Sequence, residues 1–154
     1  MLPLLRFSPI LKRARWGGRR LETHLHKALG DEFDYSESWE LVDLGENQSR
    51  LIHTSGESVT LRELLQREPQ ALLGESWSDS GEFPLLLKFL DAQERLSLQV
   101  HPDDRLARLR RPGERGKTEA WYILDSTPDA VVYAGLKPNI TREQLQSALR
   151  AGTV

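Results

Sequence analysis

The stretch 83–101, FPLLLKFLDAQERLSLQVH, decides the fold. Residues 83–92 are almost continuously apolar, interrupted by Lys88, as in a strand buried on both faces. Residues 95–101 then alternate. Leu96, Leu98 and Val100 take one face, and Ser97, Gln99 and His101 the other, because side chains two apart share a face of a strand. Only a short polar link separates the two runs, which predicts antiparallel neighbours. Pro102 ends the second run.

Working toward the C-terminus, the charged segment DDRLARLRRPGERGK is a helix or loop that crosses over. TEAWYIL (118–124) reads as a strand, 126–129 as a turn around Pro128, and AVVYAGL (130–136) as the returning partner. TREQLQSALRAG is a helix, with Thr141 and Gln144 at capping-box spacing and Gly152 as the C-terminal cap. Toward the N-terminus, residues 5–20 are extended and lead into a turn at Gly17-Gly18. ESWELVDL (37–44) is a strand with Trp39 and Leu41 on one face. TLRELLQREPQALLG is helical, capped by Thr60 and Glu63, broken or restarted at Pro69 and ended by Gly74. Residues 75–82 form a polar loop. Many short, mostly antiparallel strands with a few helices predict a mainly β fold, a barrel or jelly roll with helical insertions. The strands are few for a closed barrel, and the chain stops just after a helix, so a missing second half is expected.

Composition narrows the function classes. With 154 residues, 38% hydrophobic and 29% charged, the chain is long enough for a core and reads as soluble. A formal net charge of −2 gives no sign of a nucleic-acid or membrane partner. There is no cysteine, so thiolate-held zinc and disulfides are excluded, and any metal must use nitrogen and oxygen donors. This fits a cytoplasmic protein. The first twenty residues hold six Lys or Arg and no acid, as transit peptides do, but Pro3 and Pro9 break the apolar pieces too often for a signal peptide or membrane span.

Six residues are candidates for chemistry. Gln99 and His101 project to one side with Cα atoms about 6–7 Å apart, a spacing that can chelate a metal; the other reading has His101 hydrogen-bonding locally and Gln99 facing solvent. Glu119 opens the 118–124 run on the face of Trp121 and Ile123, so it lies at a rim or is bound to something. If the runs 95–101 and 118–124 are neighbours, Gln99, His101 and Glu119 converge, with one nitrogen and two oxygen donors. Lys117 projects to the same side as Glu119. Lys88, within an apolar run, needs an anionic partner or snorkels to an edge. Ser97 either donates to a ligand or faces water. The basic run 105–117 lacks interleaved aromatics and is diluted by acids, as on a solvated face. His24, His26 and His53 are assigned to the surface.

FPLLLKFLDAQERLSLQVHPDD followed by GKTEAWYIL resembles type I phosphomannose isomerase, and WGGRRL, ESWEL and LLGE fit in the expected order. The resemblance spans most of the chain. It implies a cupin-type jelly-roll barrel with helical insertions, residues 1–154 being the N-terminal part of a single catalytic domain. It implies an enzyme interconverting mannose 6-phosphate and fructose 6-phosphate with one zinc ion. It places zinc ligands at Gln99, His101 and Glu119, Lys117 at the substrate's reacting end, and Ser97 and Lys88 in the phosphosugar pocket. The family's fourth ligand, a later histidine, and its catalytic arginine match nothing in these residues. The chain is therefore expected to be inactive by itself and to bind zinc weakly. A non-catalytic cupin module binding a sugar or sugar phosphate is the alternative.

Overall fold

The structure, a computed structural model, describes residues 4–52, 58–75 and 82–154. Residues 76–81 of the expected 75–82 loop, and His53, lie outside the described residues. The chain divides into two compact units, Met1–Leu96 and Ser97–Val154.

The first unit holds all the sheet. Its centre is a three-stranded antiparallel sheet of β2 (Ile10–Gly18), β3 (Tyr35–Leu41) and β7 (Leu87–Leu90), with β3 in the middle. Two smaller antiparallel pairs join β1 (Phe7–Ser8) to β6 (Arg50–Leu51) and β4 (Asp43–Leu44) to β5 (Asn47–Gln48). Among the described residues these sheets do not close into a barrel. Three helices complete the unit: α1 (Arg20–Thr23), α2 (Leu61–Arg67) and α3 (Pro69–Leu73). The capping box at Thr60 forms as its spacing predicts, and Pro69 starts α3 at a position where its missing N–H costs nothing. The backbone amide and hydroxyl of Thr60 donate to the Glu63 carboxylate and hold its pKa below the ordinary value.

Little of the interior is apolar. Leu21, Val42, Leu61 and Leu65 are its buried aliphatic side chains, each stabilising by about 1.5–3 kcal/mol. Between them lie buried polar groups that are hydrogen-bonded. Ser49 is a junction. Its hydroxyl accepts from the Val42 amide at 2.8 Å, its own amide donates to the Val42 carbonyl at 2.9 Å, and its carbonyl accepts from Leu61 N at 2.8 Å. Asp43, 1% exposed, is a second junction. It accepts from Gln48 at 2.7 Å, from Arg62 Nε and Nη2 at 2.8 Å each, and from the Phe83 amide at 2.9 Å. One carboxylate thus fastens the β4–β5 hairpin, α2 and the segment leading into β7.

Several expectations are corrected. The Gly17-Gly18 pair makes no turn, since β2 runs through it. Its glycines serve close approach instead: a Cβ on Gly17 would lie 2.5–2.6 Å from the backbone of Asp34–Ser36. On β3, a strand as expected, the buried residues are Ser36 and Ser38, and Trp39 and Leu41 are half-buried. The apolar run 83–92 is not buried on both faces. Only four of its residues pair, and Leu85 and Leu87 are 65% and 58% exposed.

In the second unit, the runs 95–101, 118–124 and 130–136 form no ladder among the described residues, so they are not strands here. A strand exists only where a neighbour takes up its N–H and C=O groups. Their apolar side chains are correspondingly open, Val100 at 88% and Tyr122 at 87%. The helices are as expected. α4 (Asp104–Arg110) starts at Asp103, whose carboxylate accepts from Leu106 N at 2.6 Å. α5 (Arg142–Ala151) has its Thr141–Gln144 capping box and a left-handed Gly152 cap.

The Asp43 junction gives a direct check on the first unit. Asp43→Ala takes from Arg62 its buried carboxylate, leaving it Glu82 at 3.8 Å, and removes the acceptor of the Phe83 amide, while Gln48 keeps the Gly45 carbonyl. Removing one partner of a buried pair costs about 3–5 kcal/mol, a large share of a typical total stability. A urea titration should show a loss of this size, whereas Glu46→Ala, on an exposed turn, should change the midpoint little.

Candidate functional site

The candidate residues fall into three groups. The first is built by a backbone clasp in the second unit. Pro102 and Asp103 lead into α4, and residues 111–117 return from its end. At the meeting point Gly116 N donates to Asp104 Oδ1 at 2.8 Å, and Lys117 N donates to the Pro102 carbonyl at 3.2 Å. The two chain segments touch backbone to backbone. A Cβ on Gly116 would lie 2.6 Å from Asp104 N, 2.7 Å from the Asp103 carbonyl carbon and 2.8 Å from Pro102 O.

Next to these bonds, His101 lies beside Glu119. His101 Nε2 and Glu119 Oε2 are 2.9 Å apart, with side chains 27% and 22% exposed. Lys117 Nζ lies 3.6 Å from the same carboxylate oxygen and is more open, at 47%. An imidazole nitrogen, a carboxylate oxygen and an ammonium group therefore meet within 4 Å of one atom, Glu119 Oε2.

The second group is Ser97 and Gln99. Gln99 Nε2 donates to Ser97 Oγ at 3.2 Å, which leaves the amide oxygen of Gln99 outside that bond. This confirms that the two side chains share a side, although no ladder forms there. Among the described residues, no group of three His, Asp or Glu gathers in a way that could hold a metal ion.

Lys88 stands apart, on β7 in the first unit. Trp39 of β3 lies directly opposite it, and Glu37 diagonally on the same face. Lys88 Nζ and Glu37 Oε1 are 3.2 Å apart, with both side chains largely buried at 17% and 16% exposure. Glu37 also accepts from the Trp39 indole N–H, and Lys12 Nζ lies 4.7 Å from the Trp39 ring centre. The anionic partner that a lysine in an apolar run requires is thus Glu37. Glu37 went unread in the sequence, although its position two before Trp39 puts it on that face of the strand.

Asp104 and Gly116 were also unread. The signal for them was present: a glycine directly before Lys117, and a second Asp directly after the helix cap. The basic side chains Arg105, Arg108, Arg110 and Arg111 are exposed around α4, while Ala107 is its buried residue. His24 and His26 are exposed, as expected. No helix among the described residues is long and apolar enough to cross a membrane.

The family model for the phosphomannose isomerase type I catalytic domain matches residues 4–145, and the chain belongs to that family. It is 36% identical to mannose-6-phosphate isomerase ManA of Bacillus subtilis over 153 residues, covering 95% of this chain and 44% of the relative. A crystal structure of the mannose 6-phosphate isomerase from Bacillus subtilis superposes with a TM-score of 0.77 at 27% identity, covering 96% of this chain and 46% of that one. A solved mannose 6-phosphate isomerase bound with zinc and yttrium matches with a TM-score of 0.58 at 29% identity, over 68% of this chain and 26% of its own. The chain spans under half the length of the relatives it matches.

The Glu37–Lys88 pair is open to a double-mutant cycle. Lys88→Met leaves a largely buried carboxylate without its cation and should cost about 2 kcal/mol. Lys88→Met combined with Glu37→Gln should cost less than the sum of the single changes, by at least about 0.5 kcal/mol. Strict additivity in denaturant unfolding would show that the two groups do not interact.

Proposed function

We propose that this chain carries the metal-binding and proton-handling side of a site that interconverts mannose 6-phosphate and fructose 6-phosphate, acting on a soluble phosphosugar in the cytoplasm. The observation that carries the reading is the meeting of His101 Nε2 and Glu119 Oε2 at 2.9 Å, with Lys117 Nζ 3.6 Å from the same oxygen. Family membership supplies the reaction class. In this reading the jelly-roll barrel of the resemblance is the architecture of the complete family domain.

The donor set suits zinc. One imidazole nitrogen and one carboxylate oxygen already converge, and both are ordinary zinc donors. Gln99, through its amide oxygen, is the third ligand in this proposal. When bound, zinc supplies Lewis acidity, polarising substrate oxygens where negative charge develops.

The chain's own residues do the rest. His101 in its neutral form offers Nε2, which requires the ring proton to sit on Nδ1. Glu119 balances positive charge at the site and holds the Lys117 ammonium within reach. Lys117 is exposed, and its backbone is pinned by the Pro102 carbonyl, so a flexible stem swings from a fixed root. We assign its Nζ to the reacting end of the sugar, donating a proton to the ring oxygen as the bond from C1 to that oxygen breaks and the C1 hydroxyl gives up its proton to water to form the open-chain carbonyl. Ser97 is assigned to a substrate hydroxyl. Lys88 is assigned to the substrate pocket, its charge shared between Glu37 and the substrate's phosphate.

A hybrid enzyme tests this reading. Residues 1–154 replace the corresponding part of Bacillus subtilis ManA. The hybrid should convert mannose 6-phosphate to fructose 6-phosphate and lose activity on zinc chelation. Within it, His101→Ala and Glu119→Ala should lower zinc content and reduce kcat/KM more than a hundredfold. Lys117→Met should lower kcat while zinc content stays intact. Full turnover by Lys117→Met would remove that residue from the mechanism, and full zinc loading of His101→Ala would remove the metal assignment.

A further inference from the structure

We propose that Asp104 and Gly116 form a positioning device that sets His101 against Glu119; this rests on the reading of those two residues as metal ligands. His101 and Glu119 are eighteen positions apart, and no ladder holds their segments together. Two backbone N–H groups tie these segments together beside the site, Gly116 N donating to Asp104 Oδ1 and Lys117 N to Pro102 O. The clasp starts one residue after His101 and ends two before Glu119, so a change in it moves both groups.

The device has two parts. Asp104 supplies the acceptor. It sits in the first turn of α4, where Asp103 already caps the helix, so the Asp104 carboxylate serves the clasp and not the cap. Gly116 supplies the space. The atoms that a Cβ would meet at 2.6–2.8 Å are all backbone atoms and cannot move aside as a side-chain end would. Any other residue at 116 must push the two segments apart. Asp104 and Gly116 touch neither substrate nor metal in this account; they act through the residues that do.

The test uses the whole 154-residue chain and two measurements. The first needs no metal: the nuclear Overhauser contact between the His101 ring protons and the Glu119 side-chain methylenes. The second is zinc affinity by chelator competition. Gly116→Ala and Asp104→Leu should lose the contact and bind zinc about 10- to 100-fold more weakly, the usual effect of removing a group that orients a metal ligand. Asp104→Asn keeps an acceptor oxygen and should stay within about threefold of wild type. Asp103→Ala removes the α4 capping side chain but keeps every backbone atom and the Asp104 carboxylate of the clasp, and should retain the contact, which separates positioning from general loosening. Retention of the wild-type contact in Gly116→Ala or Asp104→Leu would overturn the proposal. So would its loss in Asp104→Asn. If the wild-type chain shows the contact but takes up no zinc, the ligand reading fails, and the contact alone still decides whether the clasp positions the pair.

Discussion

Gly116 has no side chain, and the backbone of Pro102–Asp104 lies in the space where one would be. That contact organises the second unit. This unit has little else to hold it, since its buried aliphatic content is a single Ala107 and its three apolar runs make no ladder among the described residues. A loop is normally costly to fix, because each ordered residue gives up about 1–2 kcal/mol of backbone entropy. One backbone-to-backbone hydrogen bond, one backbone-to-carboxylate hydrogen bond and the close approach at Gly116 confine the return from α4, and α4 itself is short and capped. The order this imposes is local. It is enough to bring an imidazole, a carboxylate and an ammonium to one point.

The first unit is built on a different principle. Its interior is held by polar junctions, the Asp43 carboxylate joining the β4–β5 hairpin, α2 and the segment before β7, and Ser49 tying Val42 to the start of α2. Such groups are favourable only when every member has a partner. They also specify geometry more narrowly than apolar packing, because donors and acceptors must align. The Glu37–Lys88 pair extends this pattern to the central sheet, where the indole of Trp39 and the ammonium of Lys12 share the face.

The helices were legible in the sequence, because their signals are local. Thr60 with Glu63, Thr141 with Gln144, Pro69 and Gly152 each act within one turn of themselves. The edges of the central sheet were less so, and the three apolar runs of the second unit were read as strands that do not form here. Alternation such as Leu98-Gln99-Val100-His101 reports which side chains share a side, and Gln99 does reach Ser97. It does not report whether a neighbouring chain is present to accept the hydrogen bonds. The pairing of His101 with Glu119 was anticipated on the premise that their strands adjoin. The two residues do meet, but through a glycine contact and an aspartate rather than a ladder. The Gly17-Gly18 pair was misread for a related reason: glycine marks both turns and close approach, and only the neighbouring backbone tells them apart.

Whether His101 and Glu119 together hold a metal, as proposed, is read directly by anomalous diffraction from crystals of this chain soaked in zinc. The expected result is a zinc peak bound by His101 Nε2 and Glu119 Oε2 at about 2.0–2.2 Å from each, with their mutual contact replaced by two bonds to the ion. Zinc found elsewhere, on the exposed His24 or His26, with the His101–Glu119 contact still closed, would contradict it.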